Sequence, residues 1–185
     1  MPKTDENLVA HNLLDDSLVV INKLCKNLHL LPGHDSDAYR STAIKLLISL
    51  IYTQKDTSVL LRQLDSNINN QFSGFRLQEF KNMDTSVLNY YNDIMKLRIE
   101  NPALVSGNYA ILDKDNPYIC GFERILGKDT LLVIANLTND VRAFSGNFSY
   151  STLPMLITNY EEGPLPPLNS SIALRPYEFK IYKEN

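Results

Sequence analysis

The spacing of apolar positions changes once along the chain, between Asn101 and Gly107, from a helical period to a period of two. Upstream of that point, Leu18, Ile21, Cys25 and Leu28 fall on one helical face, preceded by the cap candidates Asp15, Asp16 and Ser17. Pro32-Gly33 ends this element. Ser36 or Asp37 caps a second, in which Ala43, Leu46, Leu47, Leu50 and Ile51 form a broad stripe. Thr57–Leu64 carries both signals, a β-branched start that suits a strand and a Leu-Leu-Arg-Gln-Leu end that suits a short helix. Asp65–Ser73 is polar and reads as a loop. Asp84 or Thr85 caps the clearest helix, through about Glu100, with Val87, Tyr91, Ile94, Met95 and Arg98 on one face. Pro102 stops it.

Downstream, short strands are predicted at Tyr109–Leu112, Tyr118–Leu126, Thr130–Leu137, Val141–Phe144, Met155–Asn159, Ser171–Leu174 and Glu178–Tyr182. Turn residues separate them, as in Gly127-Lys128-Asp129 and Thr138-Asn139-Asp140. Leu131–Ala135 is apolar throughout, as a central strand covered on both faces would be. The fold class expected is α+β, a helical layer packed on an antiparallel β-sandwich, with a helical segment at 1–100 and a sandwich domain at 101–185.

Composition narrows the function. A hydrophobic content of 44% and a charged content of 21% are those of an ordinary globular protein. A net charge of −3 leaves no electrostatic footprint for nucleic acid or an anionic membrane. The first residues, MPKTDENLVAHN, lack a basic-then-apolar leader pattern, and the longest apolar run, Leu131–Ala135, is strand-sized, so the expected location is cytoplasmic. Cys25 and Cys120 lack companions at metal-ligand spacing and read as buried thiols.

Three phrases follow one another in the C-terminal half: DTSVLNYYNDIMKLRIENPAL (Asp84–Leu104), MLITNY (Met155–Tyr160) and LRPYEFKIY (Leu174–Tyr182). In this order they resemble the end of the family-13 glycoside hydrolases, in particular the oligo-1,6-glucosidases, dextran glucosidases and trehalose-6-phosphate hydrolases. The resemblance implies the last helix of a (β/α)₈ catalytic barrel followed by the small terminal β-domain. Upstream, Gly33–Tyr52 is similar to the segment after the family's seventh barrel strand, which places Ser17–Asn22 on that strand. The family's Asn-His-Asp motif then falls on Asn22, Lys23 and Leu24. Its Gln-Gly-Thr-Pro motif falls on Gln54-Lys55-Asp56-Thr57, its eighth strand on Ser58–Leu61 and its Gly-Glu-Glu motif on Arg62-Gln63-Leu64.

Retaining glycoside hydrolysis needs a carboxylate nucleophile and a carboxylic acid about 5–5.5 Å apart. In the resembled family both come from middle barrel strands, which the 16 residues before Ser17 cannot hold, and the third carboxylate falls on Leu24. The expectation is no catalytic residue, no cofactor and no metal. Without barrel neighbours, Ser17–Asn22 should join a helix spanning Leu18–Leu28.

The remaining constellations have plain explanations. His34-Asp35-Ser36-Asp37 suits a helix N-terminus, and His11 and His29 have no partner signature. Asp15-Asp16 and Glu161-Glu162 are adjacent carboxylates that point to different faces, so neither is a dyad. Tyr90, Tyr91, Tyr109, Tyr118, Tyr150, Tyr160 and Tyr177 are the rings on which a sugar could stack. Three readings follow: a non-catalytic α-glucosidase-like domain protein, a carbohydrate-binding module for α-glucans or oligosaccharides, and a partner subunit of a separate glucosidase barrel chain. An exposed apolar face would point to such a partner or to a homodimer.

Overall fold

A computed structural model describes residues 39–55, 85–146, 152–166 and 171–184. Among these residues, three helices, α1 (Arg40–Tyr52), α2 (Thr85–Glu100) and α3 (Pro102–Ser106), are followed by seven strands. These are β1 (Asn108–Leu112), β2 (Ile119–Leu126), β3 (Asp129–Asn136), β4 (Arg142–Phe144), β5 (Met155–Thr158), β6 (Ile172–Leu174) and β7 (Phe179–Glu184). Each predicted strand is present within two residues at either end. The predicted helix at Leu18–Leu28, and the segments Thr57–Leu64 and Asp65–Ser73, lie outside the described residues.

The strands form two antiparallel sheets, one ordered β1-β2-β3-β7-β5 and one of β4 with β6. The period of two in β3 decides what lies on each face. Leu131, Val133 and Ala135 join a core with the helices, while Leu132 and Ile134 join a second core with Phe144, Ile172 and Leu174 of the small sheet. The result is three layers, helices on a five-stranded sheet on a two-stranded sheet, an α+β fold as the patterning implied. The sheets approach closely at Gly121, where an added Cβ would lie 2.8 Å from Phe144 Cε2. Gly127 opens the β2–β3 hairpin with φ 64°, which a side chain would resist.

The helix α1 is more than an amphipathic stripe. Ile48 and Ser49 are buried along with Ala43, Leu46, Leu47, Leu50 and Ile51, as in a helix surrounded by protein. Its N-cap is Tyr39, which makes no side-chain cap bond, and the expected caps Ser36 and Asp37 lie outside the described residues. On α2, the deepest tyrosine is Tyr90 rather than Tyr91. The hydroxyl of Ser49 lies 2.6 Å from the Tyr90 phenol, so α1 supplies the polar partner that permits its burial. Tyr91 is half-buried against Tyr52.

Pro102 ends α2 and also begins α3, because a proline at the first helical position forfeits only an N–H that has no helical partner. This five-residue helix was not expected from the pattern. It buries Ala103 and Leu104 against the sheet.

Candidate functional site

A dense polar cluster lies where the C-terminus of α1 meets α2, α3 and the start of the sheet. A helix end leaves its last carbonyls without helical partners, and the usual remedies are a following glycine or a basic residue in the last turn. Here Thr53 follows the helix in αR conformation, and its last turn has no basic residue. Two arginines from elsewhere take that role. Arg98 Nη1 donates to the carbonyls of Tyr52 (2.7 Å), Gln54 (2.8 Å) and Leu104 (3.0 Å), and its Nη2 to Lys55 O (3.3 Å). Arg124 Nη1 donates to Thr53 O and its Nη2 to Gly107 O, both at 2.9 Å. Their positive charges oppose the negative end of the α1 dipole.

Tyr109 joins the two. Its hydroxyl donates to Gln54 Oε1 at 2.5 Å and accepts from Lys55 N at 3.1 Å. The Arg124 guanidinium lies 4.2 Å from the ring centroid. Gln54 Nε2 returns to Leu50 O at 2.9 Å. Arg124 is fully buried, its Nε has no hydrogen-bond partner, and its guanidinium donates to two carbonyls and lies against a ring. Burial lowers the pKa of both arginines, and Tyr109 opposes that shift in each. Desolvation and then the Tyr91 hydrogen bond push the Tyr52 phenol up to about 12.

A second cluster pins β7 to its neighbours. Glu178 is fully buried and accepts from Arg175 N (2.7 Å), Arg175 Nη1 (3.1 Å) and Lys180 Nζ (3.3 Å). Lys180 Nζ also donates to Ala173 O at 3.1 Å. Asn159 donates to Thr42 O and Tyr177 O and accepts from Phe179 N, which ties the start of α1 to β7. Asn136 donates to Asp140 O and Arg175 O and accepts from Thr138 N and Thr138 Oγ1. Tyr177 has φ 54°, and its N–H donates to Thr138 O.

No protein-family model matches the chain. It is 38% identical to an oligo-1,6-glucosidase of Bacillus cereus over 110 residues, 57% of this chain and 19% of that enzyme. Among solved structures, trehalose-6-phosphate hydrolase of Bacillus licheniformis (mutant R201Q, in complex with PNG) aligns with a TM-score of 0.57 at 16% identity, over 83% of this chain and 40% of the other. Isomaltulose synthase of Erwinia rhapontici NX5 (mutant D241A, in complex with D-glucose) aligns at 0.56 and 19% identity, over 82% and 40%. Its relatives are family-13 glycoside hydrolases. The chain spans about a fifth of the length of the curated relatives it matches, and the structural likeness is one of fold.

The phrases that resemble this family supply much of the polar framework. Arg98 comes from the first, Asn159 from the second, and Arg175, Tyr177, Glu178 and Lys180 from the third. Asn22, Lys23, Leu24, Arg62, Gln63 and Leu64, aligned with the family's Asn-His-Asp and Gly-Glu-Glu motifs, lie outside the described residues, as do His11, His29, the His34–Asp37 cluster, Asp15-Asp16, Cys25 and Tyr150. Cys120 is buried. Glu161 and Glu162 are exposed, and Glu162 lies 3.9 Å from Arg175 Nε.

The candidate sugar-stacking rings are scattered. Tyr90, Tyr109 and Tyr177 are core residues, and Tyr91 packs on Tyr52. Tyr160 donates to Pro176 O at 2.7 Å, and the Arg175 guanidinium lies 5.0 Å from its ring. Tyr118 is 42% exposed. Residues that the sequence reading did not single out, Arg124, Asn136 and Asn159, are buried polar side chains whose partners come from distant segments. The nearest signal was a charge inside an otherwise apolar strand, Arg124 in β2.

Among the described residues no helix is long and apolar enough to cross a membrane.

Proposed function

We propose that this chain is a non-catalytic, α-glucosidase-like scaffold: a helical part at 1–100 clamped onto a terminal β-sandwich at 101–185, acting in the cytoplasm. Its ancestry lies in carbohydrate metabolism, as its relatives show. The observation that supports the non-catalytic reading is the state of its carboxylates. Glu178 is the one buried acid among the described residues, and it lies between two cations and a backbone N–H. A general acid for glycoside cleavage needs a proton to give and a second carboxylate facing it across the scissile bond. Both Glu178 carboxylate oxygens are engaged at a strand junction, Oε2 by Arg175 N and Oε1 by Arg175 Nη1 and Lys180 Nζ.

Docking onto a separate barrel chain is a weaker reading, because α1, α2 and α3 already cover one face of the large sheet. The test is hydrolysis of nitrophenyl α-glucoside, isomaltose and trehalose 6-phosphate by the purified chain. No turnover is expected. Reproducible turnover that a single substitution in this chain abolishes would sink the proposal.

A further inference from the structure

Among the candidate stacking rings that the structure describes, Tyr118 is the exposed one, and its backbone is hydrogen-bonded on both sides. Its N–H donates to Asn116 Oδ1 at 3.0 Å, and its carbonyl accepts from Leu137 N at 2.9 Å. The Arg142 guanidinium carbon lies 4.2 Å from the ring centroid and covers one side of the ring. Arg142 is itself braced. Its Nη2 pairs with Asp140 Oδ2 at 3.0 Å, and its Nε donates to Thr138 Oγ1 at 3.3 Å. Thr138 bonds to the buried Asn136, whose Nδ2 also holds Asp140 O at 2.7 Å. The brace therefore runs from the surface ring to a buried side chain.

With one face under Arg142, a ring that remains 42% exposed must show water its other face and edge. A fixed aromatic face of this kind binds at low entropic cost, because the ring does not have to be ordered by the ligand. The Asp140 side chain is 67% exposed and uses one oxygen for Arg142, which leaves the other to accept a hydrogen bond.

The charges select the ligand. A guanidinium on the inner face makes the outer face a poor seat for a second cation, and Asp140 repels an anion. A neutral ring with C–H bonds on one face and hydroxyls at its edge meets both conditions. We propose that Tyr118, backed by Arg142 and flanked by Asp140, is a stacking platform for a neutral pyranose. This goes beyond the scaffold reading and does not depend on it, since binding needs no cleavage.

The test is an NMR titration of the ¹⁵N-labelled full chain with isomaltose, with sorbitol as an acyclic polyol that lacks a ring face. Isomaltose should shift the amides of Tyr118, Asn139, Asp140 and Val141 saturably, with a Kd of about 1–10 mM. Sorbitol should not. Tyr118→Phe, which keeps the face, should bind within about twofold of the native chain, and Tyr118→Ala should lose about tenfold or more. Asp140→Asn should weaken binding by about threefold, a second readout that leaves the ring in place. The proposal is overturned by non-saturable shifts, by an equal response to sorbitol, or by unchanged affinity in Tyr118→Ala. Cleavage of isomaltose during the titration would overturn the scaffold reading alone.

Discussion

Replacing Arg124 by methionine keeps most of the side-chain volume and removes the guanidinium. Two effects then compete. The carbonyls of Thr53 and Gly107 lose their 2.9 Å donors while staying buried by the helix end and the strand. Each stranded acceptor costs about 1–3 kcal/mol, or about 2–6 kcal/mol for the pair. Loss of the stack on Tyr109 adds about 2 kcal/mol when the contact is desolvated. Against this, a buried cation with an unsatisfied Nε is expensive to hold, and exchanging buried ionic groups for apolar ones has gained about 1–4 kcal/mol elsewhere.

The acceptors decide the sign, because methionine removes the donor and leaves both carbonyls in place. Arg124→Met is expected to destabilise by about 3 kcal/mol. Arg124→Lys should fall between, since an ammonium cannot reproduce the fork that reaches two carbonyls. Urea denaturation followed by circular dichroism reads the shift at constant m-value. Hydrogen exchange should quicken at the amide of Gln54, which bonds Ile51 O, and at that of Lys55, which bonds Tyr109. A methionine variant within about 0.5 kcal/mol of the native chain, or more stable, would refute this account of the clamp.

Gly121→Ala should cost about 1–3 kcal/mol, because the new Cβ meets Phe144 Cε2 at 2.8 Å; Phe144→Leu in the same chain should recover part of that loss, and additive effects in the double-mutant cycle would count against the close approach. Alkaline unfolding should occur between about pH 10 and pH 12. Burial is the first cause holding the phenols of Tyr52, Tyr160 and Tyr182 up at about 12, while in the unfolded chain they ionise near 10. A raised folded pKa contributes stability that is complete below the unfolded value and lost as pH rises through the folded one. The chain has no tryptophan, so tyrosinate absorbance follows the transition cleanly. Ionisation of these phenols near pH 10 without unfolding would contradict the shifts.

Much of the fold was legible because burial is periodic. Alternation along Leu131–Ala135 is what assigns successive side chains to two cores, and each predicted strand lies where that pattern put it. Helix faces were read less sharply. Tyr90 and Tyr91 are both compatible with an apolar stripe that includes Val87 and Ile94. The choice of Tyr90 as the deeper ring depends on Ser49, 41 residues upstream. Pro102 is a stop signal in the sequence, and its second role as the first residue of α3 depends on Ala103 and Leu104 finding an apolar seat against the sheet.

The sequence by itself determined the α+β class, the strand positions and the kinship with family-13 glycoside hydrolases, because period and phrase are local properties of the chain. Only the tertiary structure decided what the polar residues do. Arg124 and Arg98 meet the same helix end from positions 71 and 46 residues distant from Thr53 and Tyr52. Of the candidate sugar-binding tyrosines, Tyr118 alone among those described is exposed, and its bracing by Arg142 depends on a bond network rooted in buried Asn136. Unsatisfied carbonyls and open ring faces are created when elements pack, so no spacing along the chain announces them.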